Sequence, residues 1–301
     1  MTSISRVTVL TNPMAGHGNA PHAAERAIAR FQELGIDVVA VVGRDAAHAL
    51  ELVQQAVGDG TDAVVVVGGD GVIRLALQAL ARTDTPLGII PAGTGNDHAR
   101  EYAIPTGDPA AAADVVAAGN TTTVDLGLIR GSDASHTWFG TIAATGFDSL
   151  VSDRVNRMRW PHGRMRYNLA IVAELSQLRP LPFRLMFDGG PEIVTDLTLA
   201  AFGNTRSYGG GMLICPNADH SDGLLDVTMV RTGSRSTLIR LFPTVFKGTH
   251  IELDEVTTRR ARTVTVDSPG INAYADGDYV CPLPAEISAV PAALRILVPQ
   301  R

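Results

Sequence analysis

Three short stretches combine glycine with aspartate in patterns that could do chemistry: Gly68-Gly69-Asp70-Gly71, Gly93-Thr94-Gly95-Asn96-Asp97 and Asp276-Gly277-Asp278. The first two each follow a short apolar run, residues 63–67 and 87–90, and a helical spacing of apolar residues begins after the first, at 72–81. Glycines at a strand-to-helix turn let backbone N–H groups approach an anion closely, and the helix start behind them adds partial positive charge. The anion of that description is a phosphate. A carboxylate such as Asp70 beside a polyphosphate is repulsive unless a cation lies between them, and Mg2+ is the cation that chemistry suggests. Asp97 would cap the segment after it or hold metal-bound water. Taken one at a time, either turn is equally an ordinary strand-to-helix connection with an aspartate cap. Two acidic turns on successive strands at one sheet edge favour a phosphate site.

The elements that must position these residues alternate through the first half. Strands are expected at 6–10, 36–42, 63–67 and 87–90, with helices from Pro21 to near Gly35, at 45–57, at 72–81 and at 108–118, and a strand at 121–130 carrying Asp125. Strands alternating with helices give a parallel sheet with right-handed crossovers. Beyond Asp125 the pattern changes to short strands at 137–144, 185–187, 196–201, 224–230 and 263–266, which implies a second, mainly antiparallel domain. The expected division is residues 1–125 as an α/β nucleotide-binding domain, joined again by 293–301, and residues 126–292 as a β-rich domain.

Composition narrows the class. Formal net charge is −6, which argues against general nucleic-acid binding. The one lysine in the chain, Lys247, follows no glycine loop, so Walker A chemistry is excluded, and G-x-G-x-x-G does not fit residues 69–74. Cys215 and Cys281 belong to no metal-binding pattern and read as reduced core residues of a cytoplasmic protein. The N-terminus runs directly into a strand pattern, and no apolar run reaches membrane-spanning length.

A wider set of motifs carries a family resemblance. Asn12-Pro13 with Gly16, the two glycine-aspartate turns, Gly209-Gly210-Gly211, Asp222-Gly223-Leu224-Leu225-Asp226 and Asp276-Gly277-Asp278 occur in the order seen in diacylglycerol-kinase catalytic domains. Over nearly its whole length the chain resembles soluble bacterial diacylglycerol and lipid kinases, most closely the actinobacterial ones. The resemblance implies an NAD-kinase/diacylglycerol-kinase-like fold and an ATP- and Mg2+-dependent transfer of phosphate to the hydroxyl of diacylglycerol, giving phosphatidic acid, in the cleft between the domains. It implies nucleotide contacts from Asn12, Pro13, Gly16, Gly69, Asp70, Gly71, Thr94 and Asp278. It implies Asp276 as the base that accepts the hydroxyl proton, and a second magnesium held by Asp222 with Asp219 and Leu224, in addition to the Asp70 and Asp97 site. The chain departs from the pattern at Ala15, at Val42-Gly43, at Val72, Arg74 and Leu75, and at Asp278, where the family usually has serine, threonine, Thr-x-Asn-Glu and glutamate.

Two segments, 150–178 with Arg154, Arg157, Arg159, Arg164 and Arg166, and 238–246 with Arg235, Arg240 and Lys247 around it, suit either a solvated basic surface or peripheral contact with an anionic membrane. The resemblance favours the membrane, at its inner face, where a lipid substrate is met. A homodimer is compatible with all of this. The rival expectations are the same chemistry on a sphingoid base, another lipid alcohol or NAD, and a non-catalytic nucleotide- or lipid-binding protein.

Overall fold

A computed structural model describes residues 4–12, 19–157, 180–231 and 234–300. Pro13, Gly16, and the arginines at 159, 164 and 166 therefore lie outside the described residues. The chain divides into two compact units, one of residues 1–126, 209–211 and 291–301, the other of residues 127–208 and 212–290.

The first unit is built on parallel strands. β1 (Arg6–Thr11), β2 (Asp37–Val42), β3 (Ala63–Gly68) and β4 (Leu87–Pro91) lie in the order β2-β1-β3-β4. Their registers run Val9 beside Ala40 and Val65, and Val65 beside Gly88. Every residue of β3 is buried, as a run without polar alternation requires when helices cover both faces. The helices α1 (Ala20–Glu33), α2 (Ala46–Gly58), α3 (Asp70–Leu80), α4 (Asp97–Glu101) and α5 (Pro109–Ala117) follow the strands, with α1 against α5 and α2 against α3. Their starts were marked in the sequence: the Asp45 carboxylate accepts from His48 N, and Asp108 from Ala110 N just ahead of Pro109. α3 begins two residues earlier than the apolar spacing implies, with Gly69 as its N-cap, so Asp70 lies in the first helical turn.

The second unit is antiparallel. One group of strands contains β6 (His136–Phe139) on β5 (Thr121–Gly131), and β8 (Leu181–Phe187), β9 (Ile193–Leu197) and β13 (Thr263–Asp267) with the first half of β16 (Ala285–Leu297). The other runs β12-β11-β10-β7-β14-β15, where β7 is Ile142–Gly146, β10 Leu199–Gly203, β11 Leu225–Val230, β12 Val256–Ala261, β14 Asn272–Ala275 and β15 Asp278–Pro282, and α6 (Phe147–Arg157) follows β7. Phe139, Phe183 and Ile287 meet Phe202, Val227 and Ala273 in one core between the two layers. Because side chains alternate along β10, Leu199 and Ala201 face the other way, into a second core with Leu241 and Val245 of α7 (Arg235–Val245). The last half of β16 belongs to the first unit, where Ile296 lies beside Leu87 of β4.

Two expected strands prove to be two strands each. The run 137–144 breaks at Gly140-Thr141, whose amides leave the ladder to bind a side chain, and the run 196–201 breaks at Thr198, whose amide and carbonyl pair with Val230 and Phe147. Apolar alternation continues across both breaks, so periodicity does not reveal them. Cys215 and Cys281 are both free and buried, and burial pushes the Cys215 thiol up to about 12.

Candidate active site

The carboxyl ends of β1, β3 and β4 lie side by side, with Thr11 beside Val67 and Gly68 beside Pro91. Asn12 leaves β1 there, its amide donating to Val67 O at 3.4 Å, and its side chain is exposed. The glycine turns after β3 and β4 pack backbone on backbone. A Cβ on Gly93 would fall 2.4 Å from Gly69 Cα, so only glycine allows the two turns this close. Gly71 and Thr94 are exposed at the surface of these turns and Gly69 is half-buried.

Asp70 is held by the neighbouring turn. Its Oδ1 accepts from His98 N at 3.2 Å and lies 2.9 Å from His98 Nδ1, and its Oδ2 accepts from Asp97 N at 3.3 Å. Burial by itself would raise the Asp70 carboxyl; the His98 ring bond and charge, with the two amides, outweigh it and bring it down to about 2. Asp70 is therefore an anion at neutral pH. Gly95 lies against the same oxygen, since a Cβ there would be 2.8 Å from Asp70 Oδ2.

Asp97 has a different position from the one its motif suggests. It does not cap α4; Asn96 is the N-cap, in the left-handed region at φ 54°, and its side chain exchanges two hydrogen bonds with Gly93 at 2.9 and 3.0 Å. The Asp97 carboxylate is buried and accepts from Gly210 N at 2.7 Å, Gly211 N at 2.8 Å and Arg100 Nη1 at 3.2 Å. Gly209, Gly210 and Gly211 all have positive φ, 61°, 87° and 101°, which aims successive amides at one anion. That glycine run, which in the sequence could accommodate a ligand or a bend, binds the protein's own carboxylate.

In the second unit Asp276 and Gly277 form the tight turn between β14 and β15, with φ of 48° and 88° as an Asp-Gly hairpin turn requires. Asp276 is buried. Its Oδ2 accepts from Gly140 N at 2.9 Å, and its Oδ1 from Thr141 N at 2.8 Å and Thr141 Oγ1 at 2.5 Å. Three of the roughly four acceptor positions of a carboxylate are thus used, and the remaining one lies on Oδ2. Asn204, also buried, donates from Nδ2 to Gly140 O at 2.9 Å and fixes the same connection from the other side. Asp278 is exposed at the start of β15.

The residues expected to hold metal differ in how well they fit one. Asp70 suits a hard cation: it is ionised, partly accessible at 18% exposure, and one oxygen faces the turn that glycine keeps open. Asp97 is committed to three donors. Asp219 Oδ1 accepts from Ser221 N and Oγ at 3.0 and 2.6 Å, and Asp222 Oδ1 accepts from Leu224 N at 2.9 Å. The other Asp222 oxygen forms an ion pair with Arg260 Nη2, whose Nε reaches Asp226 Oδ2 at 3.2 Å. A guanidinium already supplies the positive charge at Asp222, so this loop does not fit a magnesium ion as it stands. Burial and the Asp219 charge push the Asp226 carboxyl up to about 6. No group of three or more His, Cys, Asp or Glu among the described residues is arranged to hold a metal.

Sequence reasoning missed His98, Arg100, Arg260 and the Gly140-Thr141 break. His98 adjoins a motif aspartate and Arg100 lies three residues from Asp97, the local cues available; Arg260 and the Gly140-Thr141 break depend on partners far along the chain.

Residues 6–129 match the diacylglycerol kinase catalytic domain, and residues 141–298 match the YegS C-terminal NAD kinase beta sandwich-like domain. A diacylglycerol kinase of Mycobacterium tuberculosis is 68% identical over 297 residues, covering 99% of this chain and 96% of the relative. The chain belongs to the diacylglycerol and lipid kinase family. Within that family a probable lipid kinase YegS-like protein of Xanthomonas axonopodis is 30% identical, covering 91% of this chain and 90% of the relative. The fold is also that of a solved putative diacylglycerol kinase from Bacillus anthracis, with a TM-score of 0.81 at 22% identity over 99% of this chain and 97% of that one. The family's α/β unit and its β sandwich-like unit correspond to the parallel and antiparallel halves described above. No helix among the described residues is long and apolar enough to cross a membrane.

Proposed function

We propose that this kinase transfers the γ-phosphate of ATP to the free hydroxyl of diacylglycerol, giving phosphatidic acid. The observation that carries the proposal is the Asp70 turn: an ionised carboxylate set in a glycine turn at the start of a helix, where the N-terminal amides have no partner within the helix. Gly69, Asp70 and Gly71 would receive the phosphates, with Asn12 and Thr94 beside them, and Pro13, Gly16 and Asp278 as further nucleotide contacts. Asp70 is the residue that would hold a magnesium ion, with phosphate and water oxygens completing its shell. When bound, that ion neutralises charge on the transferring phosphoryl group. Asp97 would act one step back, fixing the Gly210-Gly211 loop and Arg100 so that the glycine turns keep their spacing.

The acceptor hydroxyl oxygen forms the new bond to phosphorus as the bond between the γ-phosphorus and its bridging oxygen breaks, and ADP leaves. The hydroxyl proton passes to Asp276, whose Oδ2 keeps the one acceptor position not used by Gly140 and Thr141. A positioned carboxylate in this role contributes roughly 10²–10⁴-fold. The M. tuberculosis relative, named for the diacylglycerol reaction, supports the acceptor. The family's lipid kinases of unspecified acceptor keep a second lipid alcohol, such as a sphingoid base, as the alternative.

The test is transfer of labelled γ-phosphate in mixed micelles containing diacylglycerol, sphingosine or neither, with NAD as a soluble acceptor. Label in phosphatidic acid alone is expected. Label in the sphingoid product or in NAD would replace the acceptor, and retained ATP with no product would make the chain a binding protein.

A further inference from the structure

α7 carries apolar residues on two faces, one buried and one exposed. Leu241 and Val245 are buried in the outer core of the antiparallel unit, which accounts for how the helix is anchored. Ile239, Phe242 and Phe246 follow at the i, i+3 and i+7 spacing of a single helical face, and they stand 62%, 47% and 46% exposed. The Phe242 and Phe246 rings meet edge to face, 5.6 Å apart, so the exposed surface is one continuous patch. They are the two exposed phenylalanines among the described residues.

The charge around this patch runs against that of the chain. Residues 231–251 contain Arg231, Arg235, Arg240 and Lys247 and no acidic residue, in a chain of net charge −6. Arg235, Arg240 and Lys247 are exposed, and Arg240 pairs with the Glu255 carboxylate at 3.6 Å while its side chain stays 73% exposed. A contiguous apolar patch edged by cations is what an anionic lipid surface complements: rings and aliphatic groups enter the boundary between headgroups and acyl chains, and guanidinium and ammonium groups meet lipid phosphates.

We infer that the outer face of α7, through Ile239, Phe242 and Phe246 with Arg235, Arg240 and Lys247, is the surface by which this chain docks on anionic bilayers. The inference deepens the proposed function, and rests on it only for why a bilayer is visited.

The experiment is co-sedimentation of the full chain with phosphatidylcholine vesicles, with and without phosphatidylglycerol, in the absence of nucleotide and diacylglycerol. The native chain is expected to bind the anionic vesicles, less so as salt rises, and weakly the neutral ones. The double variant Phe242→Asp, Phe246→Asp should lose about tenfold or more of the partitioning, and Arg240→Gln, Lys247→Gln should lose the preference for anionic lipid. Because these side chains are exposed, unchanged thermal unfolding confirms that the variants are folded. A Phe242→Trp variant should shift its emission to the blue on the anionic vesicles. Absence of native binding, or binding unaffected by the double Asp change, overturns the inference. So does a concentration-dependent dimer that the double Asp change dissociates, since a second copy would then cover the face. Vesicle binding without phosphate transfer would overturn the proposed function alone, and transfer in micelles without vesicle binding would overturn this surface alone.

Discussion

Asp276 and Thr141, distant in sequence, are joined by two hydrogen bonds to one carboxylate oxygen, from the amide at 2.8 Å and the hydroxyl at 2.5 Å. The hydroxyl is the replaceable half of that grip. Thr141→Val should lower kcat for phosphate transfer by about tenfold with KM for ATP little changed, while Thr141→Ser keeps most of the activity. Losing a bond to a charged acceptor should also cost about 1.5–3 kcal/mol of stability, read by denaturant unfolding. Equal loss in the Val and Ser variants would mean that shape at position 141 matters and the hydroxyl does not.

Asp70 predicts a pH dependence with a definite sign. Its folded-state value, about 2, lies below the ordinary 3.8, so its contribution is present above pH 3.8 and is lost as pH falls towards 2. The shift corresponds to about 2 kcal/mol. The stability difference between the native chain and Asp70→Asn should therefore narrow between pH 4 and pH 2, measured by urea unfolding at each pH. A constant difference over that window would mean that His98 does not hold the charged form.

The loop at 219–226 carries two expectations. Asp226, raised to about 6, favours the folded state below pH 3.8 and loses that contribution as pH rises through 6. Asp226→Asn should accordingly unfold at a higher temperature relative to the native chain at pH 7.5 than at pH 4. Second, with Arg260 on Asp222, millimolar Mg2+ without nucleotide should leave the native melting temperature unchanged. A rise that Asp222→Asn abolishes would place a metal in this loop and contradict the guanidinium account.

Close packing of the two glycine turns sets a further expectation. Gly93→Ala puts a methyl group against Gly69 backbone and should cost about 1–3 kcal/mol, as overpacking does. Gly95→Ala puts it 2.8 Å from Asp70 Oδ2, and should weaken Mg2+-dependent ATP binding in calorimetry by more than it lowers stability. The reverse order would separate the Gly95 turn from nucleotide binding.

How far the sequence discloses this arrangement depends on the range of the interaction. β3 and β4 are legible in their β-branched runs, and α2 and α5 in Asp45 and Asp108, because those signals are local. The change from parallel to antiparallel strands is legible for the same reason. The breaks at Gly140 and Thr198 are not, since a strand that moves from one layer to the other keeps its alternation of two. Asp70 and Asp276 stand out as aspartates beside glycine, but what holds each is remote: His98 lies 28 residues from Asp70, and Thr141 lies 135 from Asp276. Asp97 misleads for a related reason, as its partners Gly210 and Gly211 are 113 and 114 residues away.

The most direct measurement of the central claim is transfer of labelled γ-phosphate from ATP to diacylglycerol by the native chain and by Asp70→Asn and Asp276→Asn, each checked for folding and for ATP binding. The account predicts phosphatidic acid from the native chain, weakened ATP binding with lost transfer in Asp70→Asn, and retained ATP binding with transfer down at least about a hundredfold in Asp276→Asn. Transfer undiminished in a folded Asp276→Asn chain would contradict it.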